Sequence, residues 1–163
     1  MKLPAGDYYI GDPCYVLAAD GYPDDRWSNF CNLLYDGKEG RGEITEFEGV
    51  PMYAAGTANG DGEFLGTDNF AYGVDAGLIG IVPLSLCTDT ARLERAKEHA
   101  LGRFVTFTKE FEAESNGEGV FYFDDIVINT GYMDEEEGEY DYEEEGDDYE
   151  EEEGEEEREE ETT

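Results

Sequence analysis

Basic residues are scarce in this chain of 163 residues: 10 Lys and Arg face 44 Asp and Glu, with a single histidine. The bases are scattered and build no positive patch, so direct binding to nucleic acid is not expected. Anionic membranes are disfavoured on the same ground. Cysteine is also sparse. Cys14, Cys31 and Cys87 are odd in number, far apart and without a CxxC pair, which indicates neither a zinc site nor a disulfide framework. Reduced thiols in a cytoplasmic compartment are the simplest account. No apolar run reaches the roughly 18 residues that span a bilayer. Residues 1–7 lack the apolar stretch of a secretory signal, so none is expected. Missing as well are a GxxxxGK(S/T) phosphate loop and a GxSxG nucleophile elbow.

What the chain has in abundance is acid, unevenly placed. Residues 134–163 hold 21 Asp or Glu and one base, Arg158, a net charge of −20 out of −34. Glutamate triplets followed by glycine recur every eight residues, at Glu135-Glu136-Glu137-Gly138, Glu143-Glu144-Glu145-Gly146 and Glu151-Glu152-Glu153-Gly154, and Glu159-Glu160-Glu161 opens a fourth copy. An eight-residue period drifts by roughly 80° per repeat on a helix, so no constant face forms. Each glycine costs a helix about 1 kcal/mol relative to alanine, and the glutamates repel one another at i, i+3 and i+4. A solenoid would need apolar residues to stack, and the repeat has none. The segment therefore reads as a disordered, extended polyanion. Tyr132, Tyr140, Tyr142 and Tyr149 are its large apolar groups and its candidate partner contacts, since tyrosine brings contact area at low entropic cost. An extended chain rises about 3.3 Å per residue, which gives roughly half the charge density of duplex DNA, with its one charge per about 1.7 Å. Such a tail can solubilise, mimic a nucleic-acid backbone toward a basic groove, or loosely hold divalent cations.

Residues 1–133 keep 23 acidic against 9 basic residues, a net charge of −14. Their number suits one domain with its own core. Asp7-Tyr8-Tyr9-Ile10 predicts a strand, and Cys14-Tyr15-Val16-Leu17 a second one across a Gly11-Asp12-Pro13 turn. Trp27, Phe30, Cys31, Leu34 and Tyr35 recur at helical spacing, after a cap at Asp24 or Asp25 and before a stop at Gly37. Trp27 and Phe30 are read as core. A polar hairpin follows, with Ile44, Glu46 and Glu48 on one side and Thr45 and Phe47 on the other, returning through residues 50–55. Beyond the glycine-rich loop 56–62 come strands near 64–65 and 70–75. Leu78-Ile79-Gly80-Ile81-Val82 is apolar on both faces and predicts a buried central strand. Thr88 or Asp89 caps a helix to Leu101, with Gly102 as its stop. A long hairpin over 103–129 turns at Asn116-Gly117 and places Val105, Phe107 and Phe111 on one face. The sum is an α+β domain over 1–133, a mostly antiparallel sheet or partial barrel with two short helices, followed by the disordered acidic tail 134–163.

Several residues could carry chemistry. Asp12, in Gly-Asp-Pro-Cys, and Asp75, in Val-Asp-Ala-Gly, each stand at the edge of an apolar strand. If they converge they can share a metal or act as an acid and base pair; otherwise each fixes its own turn. Asp61 and Asp68 flank a stretch that invites comparison with a calcium loop. Aligning Gly62 with the invariant glycine of an EF-hand puts Thr57 at position 1 and Asp68 at position 12, so that motif fails. A divalent-cation loop of another type remains an option. Cys14 needs a base to act as a nucleophile, and His99 is the one histidine available; the alternative is a small buried thiol.

Two segments carry a resemblance. Tyr9-Ile10-Gly11-Asp12-Pro13-Cys14-Tyr15-Val16 resembles the opening of a group of small uncharacterised proteins of tailed bacteriophages. Tyr72-Gly73-Val74-Asp75-Ala76-Gly77 resembles a motif of a related bacterial family of unknown function. The resemblance covers residues 6–85, implies a phage setting within a host cytoplasm, and supplies no activity; it does not extend to the tail. The expected function is that of a non-enzymatic acidic accessory protein. It would bind a basic host protein, such as a nucleic-acid-binding or defence factor, by mimicry of nucleic acid. A metal-assisted hydrolase using Asp12 and Asp75 is one alternative, and a virion-associated or structural protein with a solubilising tail is the other. No cofactor is expected beyond a divalent cation, and the oligomeric state is not legible.

Overall fold

The computed structural model describes residues 1–18, 25–35 and 42–131. The predicted cap at Asp24, the stop at Gly37, and the tail with Tyr132, Tyr140, Tyr142 and Tyr149 lie outside these residues. In chain order the described residues form strands β1 (Lys2–Leu3) and β2 (Gly6–Gly11), then helices α1 (Cys14–Leu17) and α2 (Asp25–Tyr35). Strands β3 (Ile44–Phe47), β4 (Val50–Gly56), β5 (Gly62–Leu65), β6 (Ala71–Val74) and β7 (Leu78–Pro83) follow. After a 3-10 turn at Leu84–Leu86 come helix α3 (Thr90–Glu98) and strands β8 (Gly102–Phe107), β9 (Phe111–Ser115), β10 (Val120–Phe123) and β11 (Ile126–Asn129). The strands pair antiparallel in three sheets, ordered β3-β4-β7-β2-β8, β1-β9-β10-β11 and β5-β6. The fold is thus α+β, with antiparallel sheets and α2 and α3 as its main helices.

Alternation along the three inner strands of the five-stranded sheet divides the core in two. Tyr8 and Ile10 of β2, Tyr53 and Ala55 of β4, and Ile79 and Ile81 of β7 face one way. They meet Leu3, Phe111, Ala113, Phe121, Phe123, Ile126 and Ile128 of the four-stranded sheet, with Tyr72 and Val74 of β6. On the opposite face, Tyr9, Met52, Ala54, Leu78 and Val82 meet Val16 and Leu17 of α1, Phe30 and Leu34 of α2, and Ala96 of α3. The apolar run at 78–82 is therefore a central strand buried on both faces, as its composition predicts. Each of the larger aliphatic and phenylalanine side chains removed from water contributes roughly 1.5–3 kcal/mol before entropy is counted.

Four local expectations are corrected. Cys14–Leu17 is a helical turn, because Pro13 sits at φ −58° and ψ −21° and its carbonyl accepts from the Val16 and Leu17 amides; proline is preorganised for a helix start. In β3 a bulge between Ile44 and Glu46 resets the alternation, so Ile44 and Phe47 are both buried in one cluster. Residues 103–129 are three turns rather than one hairpin. β8 joins the five-stranded sheet while β9 joins the other, and Asp124, at φ 57°, bends the return strand into the separate β10 and β11. The Asn116-Gly117 turn is present: Gly117 has φ +77°, and the Asn116 side-chain oxygen accepts from the Glu118 and Val120 amides at 2.8 and 3.0 Å.

The fourth correction concerns the end of α3. Asp89 caps its start by accepting from the Arg92 amide at 3.2 Å, as expected. Its end, however, comes before Gly102. Ala100 takes φ 50°, the Leu101 amide donates to the Ala96 carbonyl, and the Ala100 amide donates to that of Lys97. That pair of bonds is a Schellman motif with alanine where glycine is usual. A left-handed alanine is strained by roughly 1–2 kcal/mol, and glycine gives part of this back through unfolded-chain entropy. Ala100→Gly is expected to raise stability by about 0.5–1 kcal/mol, read as a higher urea midpoint at unchanged slope.

Candidate functional site

The two motif segments meet at one carboxylate. Strands β2 and β7 run antiparallel with Gly11 opposite Gly80, so the chain leaving β2 arrives beside the turn that enters β7. There Asp12, with no exposed surface, accepts from the Cys14 amide at 3.0 Å through Oδ1. Through Oδ2 it accepts from the Asp75 and Ala76 amides at 2.9 and 2.6 Å. Burial pushes the Asp12 carboxyl above its ordinary value, and the amide bonds oppose the shift. Asp12 and Asp75 do converge, yet the contact is carboxylate to backbone. The task this gives Asp12 is to tie two turns together.

Tyr9 braces the same corner from below. Its hydroxyl lies 2.8 Å from the Leu101 carbonyl and 3.1 Å from that of Asp12. Its ring lies over the paired glycines Gly11 and Gly102, where a Cβ on Gly102 would fall 2.2 Å from the ring. Alanine at Gly102 is thereby excluded unless Tyr9 moves.

Next to this corner is a cavity of about 420 Å³. It is lined by Cys14, Tyr15 and Ala18, by Asp75, by Arg92 and Arg95 of α3, and by Leu101. Tyr15 is half-buried, and burial followed by its hydrogen bond to Asp75 pushes its hydroxyl well up. The Cys14 thiol is also pushed well up, first by burial and then by the Asp12 charge. It is therefore a neutral thiol near pH 7, poorly suited to nucleophilic attack. His99, exposed at the end of α3, is not part of the cavity lining. The sequence placed Cys14 and Asp75 here but missed the arginines. Their signal was the i, i+3 spacing on one helix face, and nothing local reveals what that face meets.

The remaining acidic candidates stand elsewhere. Asp61 is exposed before β5 and Asp68 follows that strand, so roughly 13 Å of extended chain lies between them. Asp68 is 8 % exposed and accepts from the Tyr72 hydroxyl at 2.6 Å, the Phe70 amide at 3.2 Å and the Arg103 guanidinium. Burial alone would raise its carboxyl, but those donors outweigh it and hold the group below the ordinary value of 3.8. The arrangement pins the β5–β6 hairpin to β8. Among the described residues no group of three or more His, Cys, Asp or Glu is placed to hold a metal ion.

Removing the Asp12 carboxylate strands several amides at once. Asp12→Ala is expected to destabilise by on the order of 3 kcal/mol. Asp75→Asn keeps the backbone donor and should change stability by less than about 0.5 kcal/mol. Urea unfolding of the two variants separates the roles, and equal losses would refute the assignment. Asp68 has a folded value below its ordinary one, so its contribution is fully present above pH 3.8 and is lost as pH falls through the folded value. Asp68→Asn should therefore flatten the acid limb of the stability curve relative to the unaltered protein, as followed by urea midpoints at successive pH values. Comparison of the chain with known protein families, curated proteins and solved structures returns no match.

Proposed function

We propose that the protein works by binding, as a non-enzymatic acidic accessory protein whose partner is a basic protein. A phage setting in a host cytoplasm, with a nucleic-acid-binding or defence factor as the target, is the context this reading takes. The observation that carries it is the outward face of the four-stranded sheet. The inner residues of β9, β10 and β11 go to the core, which leaves Glu112, Glu114, Tyr122 and Val127 outside. Tyr122 is 38 % exposed and sits between Glu114 and Val127 in register across three strands. Residues 110–131 contain six acidic residues and no Lys or Arg. A carboxylate beside an exposed aromatic ring suits a guanidinium or ammonium group, through a charge-assisted hydrogen bond and a cation–π contact.

The burial of Asp12 and its backbone donors favour this reading over a hydrolase built on Asp12 and Asp75, because that carboxylate has no open face for substrate. In the proposed role the tail raises the local acidic charge and speeds encounter, while the sheet face supplies shape. Tyr122, which sequence inspection left unmarked among its aromatic neighbours, joins the tail tyrosines as a contact.

Affinity for a lysine- and arginine-rich peptide, measured by fluorescence anisotropy, should fall by about 100-fold or more between 50 and 500 mM salt. Pairing Glu114→Lys with Tyr122→Ala should weaken it by about tenfold at low salt, and so should removal of residues 134–163. Salt-insensitive binding would sink the reading.

A further inference from the structure

We infer that the cavity between α1, α3 and the β6–β7 turn binds a small two-ended ligand, with an oxyanion held by Arg92 and Arg95 and a cationic or hydrogen-bond-donating end read by Asp75. This site is separate from the acidic sheet face and does not rest on the basic-partner reading. The chain has 10 Lys and Arg in total, and two of them line one concavity. Arg92 and Arg95 are three residues apart on α3, so both side chains leave the same helix face. The planar donor fork of arginine matches carboxylate and phosphate oxygens in pairs. Asp75 and Tyr15 line the same cavity.

The volume, about 420 Å³, falls within the usual span for small-molecule sites, roughly 300–1,000 Å³. Ala18 and Leu101 offer apolar surface for the body of a ligand. At physiological salt the screening length is about 8 Å, so distant acidic charge is muted relative to the arginines of the lining. Asp75 then sets selectivity. An anion with no donor at its far end offers the Asp75 carboxylate nothing, whereas one bearing an ammonium group adds a charge-assisted hydrogen bond to it.

The test uses the full chain, ¹⁵N-labelled, with shifts of the Asp75, Ala76 and Arg95 amides followed by NMR. Four probes form two matched pairs: O-phosphoethanolamine with propyl phosphate, and γ-aminobutyrate with butyrate. One ammonium-bearing probe is expected to saturate the shifts, and the pair that does so assigns the phosphate or the carboxylate class. Its affinity should exceed that of its ammonium-free partner by about tenfold. Arg95→Gln should weaken it by about tenfold or more. Lys97→Gln removes the same charge from the same helix without touching the cavity lining, and should change affinity by less than about twofold. Asp75→Asn should erase the difference within the pair. Absence of saturation by all four probes at about 10 mM, a level far weaker than a built site gives, overturns the proposal. Equal losses in Arg95→Gln and Lys97→Gln overturn it too, as does equal affinity within both pairs.

Discussion

Tyr8, Tyr9 and Ile10 are consecutive and all three are buried. A strand can do this only when both faces of its sheet are covered, and that double burial governs the rest of the molecule. The covers are unlike one another. The β9-β10-β11 meander, with β1 and the β5–β6 hairpin, closes one face; α1, α2 and α3 close the other. The inner strands β4, β7 and β2 each have partners on two sides, so their backbone groups are satisfied where no water reaches.

Double burial also explains where the candidate site lies. Pairing of β2 with β7 brings the exit of one strand to the entrance of the other. There the buried Asp12 carboxylate accepts from amides that have left the ladder, those of Cys14, Asp75 and Ala76. The anion is stabilised by amides rather than by a cation, and Arg92 and Arg95 of α3 are among the lining of the adjoining cavity. Asp68 at the β5–β6 hairpin accepts from one amide, a tyrosine hydroxyl and an arginine.

Much of the architecture was legible in the chain. The apolar run at 78–82, the aromatic stripe through Phe30 and Leu34, the cap at Asp89 and the turn at Asn116-Gly117 each rest on local physics that the fold obeys. Legibility failed where a local preference was outweighed. Cys14–Leu17 looks like a strand by composition, yet Pro13 starts a helical turn. Ala100 adopts a conformation disfavoured for alanine because Leu101 must reach the core beside Ala96. The bulge in β3 could not be read either, since it serves to bury Ile44 and Phe47 together.

The candidate site was half visible. Asp12, Cys14 and Asp75 stood out through their settings, but the sequence could not say that Asp12 binds the backbone of Asp75 in place of working beside its carboxylate. Nor could it say that Arg92, Arg95 and Asp75 line one cavity. By itself, the sequence determined the charge, the acidic octad repeat, the scarcity of bases and most of the hydrophobic periodicity, because each depends on neighbours along the chain. Tertiary structure alone decided which acidic groups are consumed by amides or arginine and which remain outward. That outcome turns on contacts between residues as far apart as Asp12 and Ala76, or Asp68 and Arg103, which only packing brings together.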